Sequence, residues 1–259
     1  MSDPEIFSRA SEFLDKGYSV VLCTLIEKKG SGPREPGAKM LVTPDRKTVG
    51  TIGGGGMERL LIDQALEALA KGKTRTLHVA LGIPPREDMI SIDSKCGGEV
   101  KIFMDIVKPE PRLFIMGSGR IAQATARYAK DCGFEVTIVD DAESARQENF
   151  PGMTVVNGKY PESLRGVEIR SSDFVAVLHG ETSFELPALR HAVKARPAYI
   201  GLLGSVNKAR RHREQLKKEG FDEKVLDATF APIGLEINAE TPEEIGISIV
   251  AEIIKRKRG

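Results

Sequence analysis

Four consecutive glycines, Gly53 to Gly56, stand between a short apolar run and a helical pattern. Backbone N–H groups at a helix start attract anions, and glycine lets a ligand approach them closely. Two cations, Arg34 and Lys39, lie upstream in a segment that contains three further glycines. Because cations and bare backbone together suit an anion, the first half of the chain predicts an anion site.

A second glycine motif follows the apolar run 113–116. Gly117, Gly119 and Ala122 have the spacing G-x-G-x-x-A, and Asp140 follows about 20 residues later, as in dinucleotide-binding units. The motif therefore predicts a bound nucleotide or a similar phosphate ester. The other interpretation is architectural, with glycines that permit a tight turn and a carboxylate that caps the next segment.

His179 ends another predicted strand, at the edge of the sheet where open α/β folds bind ligands. It is either a site residue or a hydrogen-bonded histidine at a strand end. Gly204 and Ser205 precede a helix whose first turns carry basic residues. Their backbone suits a phosphate, although a solvated basic face explains the pattern equally well.

Cys96 lies in a glycine turn beside Lys95. A nearby cation lowers the pKa of an exposed thiol, so Cys96 is a candidate sulfur or metal ligand, or else an unreactive turn residue. Cys23 lies within an apolar run and is assigned to the core. Three cysteines without zinc spacing fit a reducing cytoplasm.

Two sets of elements must position these motifs. In the first half, helical patterns over 4–16 and after the glycine run accompany several apolar runs. The strands predicted there are 20–26, 38–43, 48–52, 75–81 and 99–107. From residue 113, strand and helix patterns alternate, which predicts a parallel sheet with helices on both faces. We therefore predict an α/β protein with a mixed α/β domain at 1–107 and a Rossmann-like, doubly wound domain at 108–259.

The composition is that of an ordinary globular protein. The 259 residues are 41% hydrophobic and 29% charged, and the formal net charge is +1. Without a strong overall charge, neither nucleic acid nor an anionic membrane is expected as a partner. The N-terminus has acidic residues and no apolar segment, so we expect a soluble protein without a signal peptide.

Longer stretches are similar to one family. They include "GSGPREPGAKMLV", "VGTIGGGGME" and "CGGEVKIF" in the first half, and "AYIGLLGSVNKARR" and "APIGLEINAETPEEIGISIVAEII" in the second. The chain resembles the XdhC/CoxI proteins, accessory factors that mature molybdenum hydroxylases such as xanthine dehydrogenase. In this family the loop matching Gly53 to Gly56, with Arg34, Lys39 and Glu58, is associated with handling the molybdenum cofactor. Many members have cysteine at the position of Gly56, which leaves Cys96 as the motif cysteine here.

The resemblance implies a cytoplasmic homodimer that binds the molybdenum cofactor transiently. It protects the cofactor while a cysteine desulfurase supplies sulfur, and it inserts the cofactor into the hydroxylase apo-enzyme. Such a protein is a chaperone and not a turnover enzyme. Two alternatives remain open: an NAD(P)-dependent oxidoreductase that uses Gly117, Gly119, Ala122 and Asp140, and an interaction protein that docks the same partners without binding a ligand.

Overall fold

The computed structural model of the chain describes residues 2–258 and divides after Pro109 into two compact units. The predicted division after residue 107 coincides with the end of the last strand of the first unit. Each unit has its own six-stranded sheet.

The first unit is a mixed α/β sheet with one helix on each face. Its strand order is β3-β2-β1-β6-β4-β5, and all neighbours are antiparallel except β4 and β5. The five predicted strands are present, and a sixth strand, β5, was not predicted. The elements are α1 (Asp3–Leu14), β1 (Val20–Gly30), β2 (Lys39–Val42), β3 (Thr48–Gly50), α2 (Gly56–Lys71), β4 (Arg75–Leu81), β5 (Ile90–Ile92) and β6 (Gly98–Val107).

Alternation along β1 decides which helix covers which face. Cys23 and Leu25 point into the core that contains Leu61 of α2, whereas Val20 packs in the cluster that contains Ile6 of α1. Successive side chains of a strand point to opposite faces, so one apolar strand serves both helices. Cys23 is fully buried, which confirms its assignment to the core.

The second unit is a doubly wound parallel sheet, as predicted. Its strand order is β9-β8-β7-β10-β11-β12, and every neighbouring pair is parallel. The order reverses between β7 and β10, and ligands of such sheets bind at this point. The elements are β7 (Arg112–Met116), α3 (Arg120–Asp131), β8 (Glu135–Asp140), β9 (Thr154–Asn157), β10 (Phe174–Val177), α4 (Thr182–Ala195), β11 (Tyr199–Leu202), α5 (Val206–Lys218), α6 (Glu223–Asp227), β12 (Thr229–Phe230) and α7 (Pro242–Arg258).

Both faces of this parallel sheet are covered. Helices α3 and α7 pack on one face, with Ala126 and Ile249 in the same core cluster as Ile115 of β7. Helices α4 and α5 cover the other face, where Leu189 packs with Val175 of β10. None of the helices in the described part of the chain has the length and apolar composition that a bilayer crossing requires.

Candidate functional site

A cleft of about 310 Å³ in the first unit brings together the two predicted cations, Arg34 and Lys39. Lys39 is already engaged, because its ammonium donates to Asp3 Oδ2 at 2.8 Å and to the Gly37 carbonyl at 3.0 Å. Arg34 is exposed on the loop between β1 and β2, and within residues 2–258 no carboxylate pairs with it. Arg34 is therefore the cation available to an incoming anion. The other lining residues are Asp3, Ile6, Ala38, Gly50 and Thr51.

The predicted glycine run forms the turn that enters α2, beside this cleft. A Cβ at Gly53 would lie 2.9 Å from Pro33 Cγ, so glycine lets the turn approach the loop that carries Arg34. The next two glycines, Gly54 and Gly55, are exposed and meet open space, and Gly56 begins the helix. Bare backbone is thus accessible at the start of α2, although the run does not itself line the cleft.

Thr51 connects the cleft with the glycine run. Its Oγ1 accepts the N–H of Gly53 at 3.2 Å and donates to Glu58 Oε1 at 2.6 Å. The carboxylate of Glu58 is therefore held by Thr51, which lines the cleft.

Cys96 lies between β5 and β6, partly buried against the core of the first unit. Its loop passes the glycine run, because a Cβ at Gly56 would lie 4.0 Å from the Asp93 carbonyl oxygen. Within residues 2–258, Cys96 does not belong to any group of three potential metal-ligating side chains. A metal bound by Cys96 must therefore bring most of its own ligands, and the metal-ligand role stays a prediction.

We expect the cysteines to differ in alkylation. Burial raises the pKa of the Cys23 thiol to about 12, whereas Cys132 is exposed. Because the thiolate is the nucleophile, iodoacetamide at pH 8 should modify Cys132 and leave Cys23 unmodified until urea unfolds the protein. Peptide mass spectrometry measures both, and alkylation of Cys23 in the folded protein would contradict the assignment.

The turn from β7 into α3 contains the second glycine motif, and Gly117, Gly119 and Ala122 have different structural roles in it. Gly117 has a φ of 128°, and a Cβ there would lie 2.9 Å from the backbone nitrogen of His179. Gly119 is the exposed N-cap of α3, and its position opens to free space. Ala122 is fully buried in the core cluster, so its methyl group packs the helix on the sheet. Of the three, Gly119 offers backbone to a ligand.

Asp140 ends β8 and is almost completely buried, with 2% of its surface exposed. Its Oδ2 accepts the Ser118 hydroxyl at 2.6 Å, and its Oδ1 accepts the Asp141 N–H at 2.8 Å. His179 Nε2 lies 3.3 Å from the same Oδ1. A ribose hydroxyl would have to displace these partners, so the structure gives this carboxylate a different environment from the one expected in a dinucleotide site.

His179 follows the end of β10 and meets Asp140 over the end of β7, so two residues predicted separately are brought together. Its ring stacks on Phe184 with centroids 4.1 Å apart, and its Nδ1 is buried without a hydrogen-bond partner in the described chain. The pKa of the nearby Tyr160 is raised, mainly by burial and to a smaller extent by the charges of Asp140 and Asp141. Two carboxylates, an imidazole and a phenol therefore lie close together at this end of the sheet.

Gly204 and Ser205 form the start of α5. The Ser205 hydroxyl caps the helix by accepting the Lys208 N–H at 3.3 Å. The Lys208 ammonium donates to the Gly180 carbonyl at 2.8 Å and to Glu185 Oε1 at 2.6 Å. Because Lys208 already binds groups of the protein, it gives the predicted anion site little support. Roles for Gly204 and Ser205 in anion binding stay predictions.

Sequence reasoning missed a buried polar cluster in the second unit. Glu185 is fully buried, and its second oxygen lies 2.9 Å from His212 Nε2. One signal could have found it, because Glu185 shares helical spacing with the buried Ala188 and Leu189 of α4. A carboxylate on an apolar helix face needs a buried partner. Ser118, which holds Asp140, carried no comparable signal.

Two family models match the chain. The model described as the XdhC Rossmann domain covers residues 113–253, and the model described as the XdhC and CoxI family covers residues 13–80.

Three curated proteins are similar in sequence to the chain. The chain is 33% identical over 255 residues to the uncharacterized protein YqeB of Escherichia coli, covering 97% of this chain and 46% of YqeB. It is 24% identical to the molybdenum cofactor insertion chaperone PaoD of the same species, covering 94% of this chain and 85% of PaoD. A protein of Bacillus subtilis named as a probable xanthine dehydrogenase component is 29% identical, covering 61% of this chain and 46% of that protein. The chain thus spans about half the length of two of these relatives.

A solved structure has the same fold. A Bacillus halodurans protein described as a xanthine dehydrogenase superposes with a TM-score of 0.53 at 22% identity, covering 100% of this chain and 96% of that one. The Rossmann model alone spans more than half of the chain, and the strand order of the second unit agrees with it. The chain belongs to the XdhC/CoxI family.

Proposed function

We propose that this protein is a chaperone that carries the molybdenum cofactor as cargo. It binds the cofactor transiently, protects it while sulfur replaces the terminal oxo ligand, and inserts it into the apo-enzyme of a xanthine dehydrogenase-type hydroxylase. A cysteine desulfurase is the proposed sulfur donor, and the chaperone acts as a homodimer in the cytoplasm. Support comes from the family and from the name of the PaoD relative.

The observation that carries this proposal is the cleft at Arg34. The cofactor has a phosphate and a pterin, and an unpaired guanidinium can bind a phosphate through two charge-assisted hydrogen bonds. The volume of about 310 Å³ is at the lower end for small-molecule sites. Thr51 and Asp3 supply polar groups for a pterin edge. The cleft therefore has both kinds of group that the cargo needs.

Cys96 is the proposed thiol contact to molybdenum. Its loop lies beside Gly56, the position at which many relatives have cysteine. The dithiolene of the cargo would supply the other sulfur ligands, because within residues 2–258 Cys96 does not belong to a group of three ligating side chains. Gly119, at the start of α3 in the second unit, is proposed as a separate backbone site for an anion.

The test is anaerobic purification from cells that make the cofactor. We expect molybdenum and pterin to accompany the wild-type protein in equal amounts. Arg34→Ala should reduce both by about tenfold or more, the loss expected for a charge-assisted hydrogen bond. Arg9→Ala is the matched control, because Arg9 pairs with Glu12 on the exposed face of α1 and does not line the cleft.

Two results would contradict the proposal. If neither molybdenum nor pterin co-purifies, yet the protein still activates a hydroxylase apo-enzyme, it is a docking factor without cargo. If calorimetry shows NAD or NADP binding instead, the oxidoreductase alternative is favoured over the chaperone. The buried carboxylate of Asp140 makes that outcome unexpected.

A further inference from the structure

Three side chains that can ligate metal converge at the carboxyl end of the parallel sheet. Asp140 ends β8, Asp141 follows it, and His179 reaches them from the loop after β10, across the turn after β7. One ligand atom from each residue lies within 4.8 Å of the other two, and within residues 2–258 no other group of three does so. Ligand atoms around one tetrahedral zinc ion lie roughly 3.4 Å apart. The three ligand atoms must therefore move about an ångström closer together to bind one ion.

Neighbouring groups hold these side chains in place. Ser118 donates to Asp140 Oδ2 at 2.6 Å, and the Ser118 and Ser144 hydroxyls are 2.6 Å apart. The His179 ring is fixed by stacking on Phe184 with an interplanar angle of 19°. Metal sites use such surrounding contacts to orient their ligands.

The cluster also has bonding capacity that the protein leaves unused. The side chain of His179 is only 10% exposed; its Nε2 lies 3.3 Å from Asp140 Oδ1, and its Nδ1 has no hydrogen-bond partner in the described part of the chain. Two adjacent carboxylates repel each other, and the one from Asp140 is almost completely buried. A divalent cation would neutralise both charges.

We propose that Asp140, Asp141 and His179 bind a divalent transition-metal ion, Zn²⁺ or Mn²⁺. One imidazole nitrogen with two carboxylate oxygens is a ligand set that these ions accept. Three protein ligands leave coordination positions open, and the site lies beside the point where the strand order reverses between β7 and β10, the position at which such sheets bind ligands. The ion is separate from the molybdenum cargo, and this inference does not depend on the chaperone function.

The experiment uses the full chain from cells that cannot make the molybdenum cofactor, after treatment with a chelator. Calorimetric titration with Zn²⁺ and with Mn²⁺ should show one ion per chain. Asp141→Asn and His179→Gln should each weaken binding by at least about 100-fold, because each removes a ligand. Asp141 is partly exposed, so its variant decides the question if the other fails to fold.

Two variants serve as matched controls. Glu143→Gln removes an exposed carboxylate from the same loop, whose side chain is 94% exposed. His78→Gln removes a histidine that also lies beside two carboxylates, Asp88 and Glu99, but these face opposite ring nitrogens and cannot share one ion. Both variants should bind like the wild type. The proposal is overturned if the wild type binds neither ion, or if Asp141→Asn and His179→Gln bind as tightly as the controls.

Discussion

Replacing Gly117 with alanine should lower the free energy of unfolding of the second unit by about 3 kcal/mol, whereas Gly119→Ala should cost less than about 1 kcal/mol. Gly117 has a φ of 128°, and its Cβ would lie 2.9 Å from the backbone of Leu178 and of His179. Gly119 has a φ of −67°, and its Cβ would meet open space. Two glycines of one motif thus give a matched pair.

Urea denaturation followed by circular dichroism measures the stability of both variants. Because the chain has two units, amide hydrogen exchange in β10 and α3 should assign the loss to the second one. Gly117→Ala should also displace His179 and weaken Zn²⁺ or Mn²⁺ binding, and Gly119→Ala should not. Equal stability of the two variants would show that the approach of the β7 turn to β10 is not sterically limiting.

The same pair shows what the sequence could and could not predict. Motif spacing predicted the strand, the turn and the helix, since these depend on neighbours along the chain. Which glycine is sterically confined depends on His179 at the end of β10, far away in sequence. A parallel sheet with helices on both faces was predicted because chirality and connection rules leave few arrangements.

The candidate sites show the same limit. Arg34 and Lys39 were predicted together from a glycine-rich segment, and they line one cleft. That Lys39 is already paired depends on Asp3, whose place is set by how α1 packs on the sheet. From its spacing alone, Asp140 was predicted either to serve a nucleotide site or to cap the next segment. Its burial follows instead from the Ser118 hydroxyl and the His179 ring, which spacing does not report.

Glu185→Ala should destabilise the second unit by about 3 to 5 kcal/mol. Glu185 is fully buried, and one oxygen accepts the Lys208 ammonium at 2.6 Å while the other lies 2.9 Å from His212 Nε2. Alanine removes the carboxylate, leaves the buried imidazole of His212 without its partner, and leaves the Lys208 ammonium with the Gly180 carbonyl alone. The cost of an uncompensated buried charge exceeds that of a surface ion pair, whose contribution is small.

The control for Glu185→Ala is Glu214→Ala, which removes an exposed carboxylate from α5 and should change stability by less than about 0.5 kcal/mol in the same urea titrations. A second comparison identifies the cause. If the loss comes from the lysine charge left without its carboxylate, Lys208→Met added to Glu185→Leu should recover much of the stability. The reason is that well-packed apolar side chains replace buried ion pairs with little penalty. If the double variant is no more stable than Glu185→Leu alone, the carboxylate acts mainly through His212, and α4 is tied to α5 by that hydrogen bond.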